Sequence, residues 1–324
     1  MALQTRKPTG LTPWPVILVE GAEKAGKSVT ALSLSRSDRI AASYLFEVGE
    51  RTGDAYASLG DYEIVDLNGT WSRFVDQYGA ASTLPPDSDG RPVLNVVDSG
   101  TVLWESLKDW ISGRATNSQA NRRLLANDPD AAVTISNNLW NDANGRWGHF
   151  MRMTKAHQGI TVITARSKIT AKIGANGAPV AGETEYKVEA QKDLPYNVSA
   201  IVRCDSPGHS RLMAAWKLGL DVPANGIELP ADGALEHVVF ELLGAGGFGN
   251  QSSTDPSYGR TVMDAKVALV QVFTDDGLSD DDAKEAAGEV WRSGPCADAK
   301  KDDEVSDDDW TALLAAAEAA GVPA

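Results

Sequence analysis

The residues whose types and spacing could do chemistry stand near the beginning of the chain: Gly21, Ala22, Glu23, Lys24, Ala25, Gly26, Lys27, Ser28 and Val29. Their pattern is G-x-x-x-x-G-K-S, the P-loop spacing, and it suits the cradling of a triphosphate. Gly21 and Gly26 let the backbone turn tightly, so that successive N–H groups aim inward at phosphate oxygens. A helix start adds the positive end of its dipole. Lys27 would reach the β- and γ-phosphates, and the Ser28 hydroxyl would ligate Mg²⁺. A second candidate is Asp98, which ends the apolar run Pro92–Ser99 (PVLNVVDS). An aspartate closing a buried strand downstream of a P-loop is the Walker B arrangement, placed to hold the magnesium through water.

Those residues need elements to position them. The apolar run Val16–Glu20 reads as a buried strand feeding the loop, and a helix is expected from Lys27 to about Ser35. Further strands are expected at 43–48, 62–67, 92–99, 159–166, 198–204 and 211–218, with helices at 70–78, 103–110 and 135–157. Trp140 and Trp147 fall two turns apart on the last of these, a core-packing stripe. Trp14 is expected to pack over the sheet end. Strands alternating with helices around a P-loop predict an α/β fold with a mostly parallel central sheet flanked by helices. The expected organisation is an ATPase domain over 1–245, a linker and small helical segment over 246–295, and an acidic tail over 296–324. Disorder is expected for 296–309, ahead of a short terminal helix capped by Ser306.

The chain has 324 residues and a formal net charge of −15. That charge is unevenly spread: residues 271–324 hold 15 Asp and Glu against 4 Lys and Arg, a net of −11, so the body is close to neutral. Two stretches of the body carry cations and no acid: 111–127, with Arg114, Arg122 and Arg123, and 151–182, with Lys168 and Lys172 among its five. The second is Gly- and Ala-rich beyond position 167 and reads as a loop. Two distant cysteines and four scattered histidines form no metal-spaced set. No apolar run approaches a membrane span and no signal peptide is evident, so a cytoplasmic protein without a membrane partner is expected.

The runs E-G-A-E-K-A-G-K-S at 20–28, F-E-V-G-E at 46–50, V-V-D-S at 96–99 and T-A-R-S-K at 164–168 resemble those of RecA-like ATPases. More closely, they resemble the phage-encoded RecA-like ATPases of the Sak-type single-strand-annealing group, over about residues 15–220. The resemblance implies ATP and Mg²⁺ as cofactors, with Lys27 and Ser28 on phosphate and metal and Asp98 as the Walker B acid. Glu50, or else Glu47, would orient the attacking water, and the spacing leaves both open. Arg166 falls where RecA has a γ-phosphate-sensing glutamine, a departure that still permits phosphate recognition by charge. Lys217 lies near the place from which such proteins reach into a neighbour's active site. The two basic stretches follow strands whose succeeding loops line the DNA channel in RecA-like assemblies.

The function so implied is an ATP-hydrolysing, single-stranded-DNA-binding protein of phage recombination, annealing or repair. It would self-assemble as a ring or filament, and its acidic C-terminal tail would compete with DNA or dock on a recombination or replication protein. Two alternatives remain open. A P-loop small-molecule kinase would need an Arg-rich lid, for which only the Arg122–Arg123 region is available. A nucleotide-dependent switch would bind ATP with little turnover.

Overall fold

The computed structural model describes residues 5, 7–8, 10–49, 51–174, 178–246, 262–275, 278–299, 305 and 307–320, some of them by backbone alone. The chain divides into two compact units, one of residues 1–67 and 76–251, the other of 68–75 and 252–324.

In the first unit, β1 (Val16–Gly21) is buried at all six positions and leads through the loop into α1 (Lys27–Ser33), which tightens into a 3₁₀ turn over Leu34–Arg36. β2 (Ala42–Glu47), a 3₁₀ segment (Asp54–Leu59) and the two-residue β3 (Glu63–Ile64) follow. Then come α2 (Trp71–Ser82), through which the division between units passes, and β4 (Val93–Asp98). α3 (Gly100–Thr116), α4 (Gln119–Asn127) and α5 (Asn137–Ala156) precede β5 (Ile160–Ile173) and β6 (Pro179–Val188). A helical turn α6 (Leu194–Asn197), β7 (Ala200–Ser206), β8 (His209–Ala215), β9 (Ile227–Glu228) and α7 (Ala234–Glu236), continued by a π-helical turn over His237–Leu242, complete the unit.

The strands form one sheet in the order β3-β2-β4-β5-β1-β7-β8-β9. Pairing is parallel from β3 to β7 and antiparallel beyond. Alternate residues of a strand serve opposite faces. Ile17 and Val19, with Leu45, Val96, Val162 and Val202, pack in the core that α1 and α7 cover. On other strand positions Phe46 stacks near Tyr78, Tyr78 near Phe150, and Phe150 near Trp147, with centroids 5.2–5.6 Å apart. Trp14 meets Phe240 edge-on at 6.3 Å, as expected of a residue packing at the sheet end.

Three expectations are corrected. Residues 111–127 are helical rather than loop: Leu103, Leu107, Ile111 and Ala115 continue one buried stripe, so α3 runs to Thr116 and its polar residues face outward. Ser118 caps α4 in turn, its hydroxyl accepting from Asn121 N at 3.3 Å. Residues 167–182 belong to a two-stranded ribbon, because Ile169, Ala171 and Ile173 alternate with Lys168, Thr170 and Lys172 at strand period. β8 ends at Ala215, leaving Lys217 outside the strand.

The second unit carries α8 (Val262–Asp275), α9 (Asp280–Ser293) and α10 (Asp307–Ala320). Its core holds Leu269, Phe273, Ala287, Trp291, Leu313 and Ala317, together with Cys296 and Val305 from the stretch expected to be disordered. Ser306 lies outside the described residues, as do residues 247–261 of the segment expected to hold the linker. Among the described residues no helix is long and apolar enough to cross a membrane.

Candidate nucleotide site and its adjoining ribbon

The carboxyl ends of four parallel strands meet at one sheet edge, the edge where ligands bind in such sheets. Register brings the candidates side by side: Gly21 pairs with Arg166 across β1 and β5, and Glu47 pairs with Asp98 across β2 and β4.

Gly21 enters the loop where nothing larger fits, since a Cβ there would stand 2.5 Å from the Cys204 carbonyl oxygen on β7. Lys24 adopts φ 59° and Gly26 φ 95°, so the chain turns back on itself before α1 begins. A Cβ on Gly26 would also press on Pro207 Cα at 3.2 Å. Lys27 Nζ donates to the Ala22 carbonyl at 2.7 Å, which holds the ammonium across the mouth of the loop. Burial raises the Cys204 thiol above its ordinary range, so the group beneath the loop stays protonated.

Asp98 is buried and accepts a hydrogen bond from the Thr164 hydroxyl. β5 lies between β4 and β1, so Asp98 stands two strand spacings, about 10 Å, from the P-loop strand. Its carboxylate and the Ser28 hydroxyl are hard oxygen donors, the kind Mg²⁺ takes together with phosphate oxygens and water. Among the described residues no group of three or more His, Cys, Asp or Glu could hold a metal by itself.

Arg166 is fixed from two sides. Its backbone N–H donates to Thr101 Oγ1 at 2.8 Å, and its guanidinium pairs with Glu105 of α3 at 3.0 Å. Its Nε is buried and makes no hydrogen bond among the described residues. An unpaired donor on the strand beside Gly21 fits an anion at this edge, so the residues present suit a bound triphosphate.

Glu47 is directed elsewhere. Its carboxylate accepts from the backbone amides of Thr52 and of Gly53, the latter at 2.8 Å, and so caps the turn after β2. Tyr62 closes the same turn by donating to the Gly53 carbonyl at 2.7 Å, and its phenol is raised by burial and by the Glu47 charge. Glu50 lies outside the described residues. Lys217 is held within its own unit, donating to Leu243 O at 2.6 Å.

The basic residues do not gather on one element. Arg114 sits in the last turn of α3, about 20 Å of helix from Gly100. On α4, Arg123 is exposed, and Arg122 Nε donates to the Asn117 carbonyl at 2.6 Å. Lys168 lies at the ribbon base, paired with Glu189 at 2.7 Å, and that ammonium holds the Glu189 carboxyl below its usual range. Lys172 is on β5, described by backbone alone. The return strand changes the charge count. Between 167 and 189 three lysines face three glutamates (183, 185 and 189), so the ribbon as a whole is near neutral. Beyond Arg166, β5 pairs only with β6, and the ribbon leaves the sheet at the P-loop edge. It exposes Ile169 and Tyr186, a directly opposed cross-strand pair.

Sequence reasoning missed Glu20 and Arg203. Glu20 is buried, and Arg203 Nη2 and Nε donate to its Oε1 at 2.6 and 2.8 Å. The available signal was a charge in each of two otherwise apolar strands, but pairing them requires knowing that β7 lies beside β1.

Sheet, flanking helices and phosphate loop together make this a P-loop α/β protein, an architecture consistent with the RecA-like fold expected from the sequence. No protein-family model matches the chain, and no curated protein matches it. Among solved structures it is similar to the RadB recombinase, at 15% identity and a TM-score of 0.32, covering 64% of this chain and 83% of that one. At that TM-score the likeness carries nothing further, and the fold rests on the chain's own sheet and loop.

Proposed function

We propose that the chain binds and hydrolyses ATP with Mg²⁺ and binds single-stranded DNA, acting in recombination or annealing as the Sak-type phage ATPases it resembles do. One observation carries this reading: Arg166 is both the neighbour of Gly21 across β1 and β5 and the last residue before the exposed ribbon. A nucleotide on the loop and a polymer on the ribbon would therefore act on adjacent positions of a single strand. Lys27 would hold the β- and γ-phosphates, Ser28 and Asp98 the magnesium, and Arg166 would sense the γ-phosphate. Magnesium supplies charge neutralisation at the phosphates when bound. Glu50 would orient the attacking water, with Glu47 holding the turn that leads to it.

On the ribbon, Ile169 offers apolar surface for bases, and Lys168 and Lys172 offer phosphate contacts. Arg114, Arg122 and Arg123 would add a lesser, separate contact. Self-assembly, with Lys217 serving a neighbour once released from Leu243, belongs to the same reading. So do a place in the host cytoplasm and a recombination or replication partner for the C-terminal unit.

ATP hydrolysis measured with and without single-stranded DNA tests the proposal, with Lys27→Ala as control. Stimulation by DNA is expected, and in the variant ATP affinity should fall about 10- to 100-fold, the loss of one or more charge-assisted hydrogen bonds. Hydrolysis indifferent to DNA would overturn the coupled reading. A second reading, a nucleotide switch with little turnover, is favoured by the engagement of Glu47 with backbone amides. Tight ATP binding without phosphate release would select it.

A further inference from the structure

Arg203 touches the phosphate loop's strand and the ribbon at once. Its guanidinium is forked onto one carboxylate oxygen of Glu20, the residue immediately before Gly21, with side chains only 13% and 3% exposed. The same group lies over the Tyr186 ring, 3.6 Å from its centroid. Tyr186 belongs to β6, the return strand, and stands opposite Ile169 on β5. The ribbon is thus held at two levels: at its base by Lys168–Glu189 and Arg166–Glu105, and further out by Tyr186 on Arg203.

We propose that Arg203 is a positioning residue through which nucleotide on the P-loop sets the order of the ribbon, an inference that rests on the nucleotide reading of the loop. Glu20 has little freedom, because its carboxylate is buried and its backbone is paired on both sides, to Ala165 and to Arg203 itself. Phosphate taken up by the loop amides would draw on the peptide that follows Glu20. A planar guanidinium forked on that carboxylate follows it as a rigid plate, and the aromatic face stacked on the plate follows in turn. Of the three groups only Tyr186 is substantially exposed, at 44%, so it can be changed without leaving a buried charge unpaired.

The test is backbone hydrogen exchange of residues 167–173 and 179–188 in the full chain, with and without ATPγS and magnesium, alongside calorimetric ATPγS affinity. In the native chain and in Tyr186→Phe, which keeps the ring, bound nucleotide should slow ribbon exchange about threefold or more. Tyr186→Leu should bind ATPγS within about twofold of the native affinity yet leave the ribbon unresponsive. A merely structural role for the ring would shift exchange equally with and without nucleotide, and that result overturns the proposal. So does a Tyr186→Leu ribbon that responds as the native one does, or a native ribbon indifferent to bound nucleotide. A native chain that binds no ATPγS overturns the nucleotide reading as well, and calorimetry tells that failure apart.

Discussion

His157 shows how far a single residue's chemistry depends on its surroundings. It follows α5, its Nδ1 3.2 Å from Thr161 Oγ1, while Nε2 is buried without a hydrogen-bond partner among the described residues. Burial disfavours the imidazolium and lowers the pKa from 6.5 to about 4. The unfolded chain therefore binds more protons than the native one between those values. The stability this group contributes is complete above pH 6.5 and is lost as pH falls toward 4. Urea unfolding should show about 2 kcal/mol less stability at pH 5 than at pH 7 from this residue, and His157→Gln should flatten that slope. An unchanged slope in the variant would assign the acid sensitivity to other groups. Legibility at this scale follows sequence distance. Gly21 to Ser28 were readable because their chemistry is written within one continuous turn. The Glu20–Arg203 pair was not, because its members are 183 residues apart and meet only through strand order.

Among the elements, the phosphate loop depends on the strand that precedes it. Gly21 pairs with Arg166 on one side and Cys204 on the other, and the Cys204 carbonyl occupies the space a methyl group would need. That oxygen is backbone in a paired strand and has little room to retreat. Gly21→Ala should cost about 1–3 kcal/mol in urea unfolding, the usual range for overpacking, and weaken ATP binding at the same time. Retained stability would mean that β7 yields at this edge. Buried parallel strands were legible as apolar runs, and β1 and β4 lie close to where their residues place them. The ribbon was not, because its apolar alternation is short and broken by lysines, and its pairing partner lies on a separate stretch of chain. Nor was the end of α3, whose buried Ile111 and Ala115 stand among exposed polar neighbours.

At the scale of the whole molecule, charge is partitioned: residues 271–324 hold a net of −11 out of −15. Composition alone shows that partition, but it did not show that Cys296, Val305, Leu313 and Ala317 of this acidic end share a core with α8 and α9. Deleting 296–324 to relieve the negative charge would therefore strip that core, and any change in DNA binding would be confounded with unfolding. The charge can instead be removed from the surface. Asp281, Glu285 and Glu289 lie exposed on α9, and Asp281, 96% exposed, meets Lys284 only at 3.3 Å. Neutralising them as Asp281→Asn, Glu285→Gln and Glu289→Gln leaves the buried stripe intact. Exposed charges repel a polyanion over a Debye length of about 30 Å at 0.01 M salt and only a few ångströms near 1 M. The triple variant should bind single-stranded DNA about 2- to 5-fold more tightly at about 10 mM salt and equally at about 300 mM. Equal binding at low salt, with folding verified by circular dichroism, would show that the acidic end does not oppose DNA. It would leave protein docking as the use of that unit.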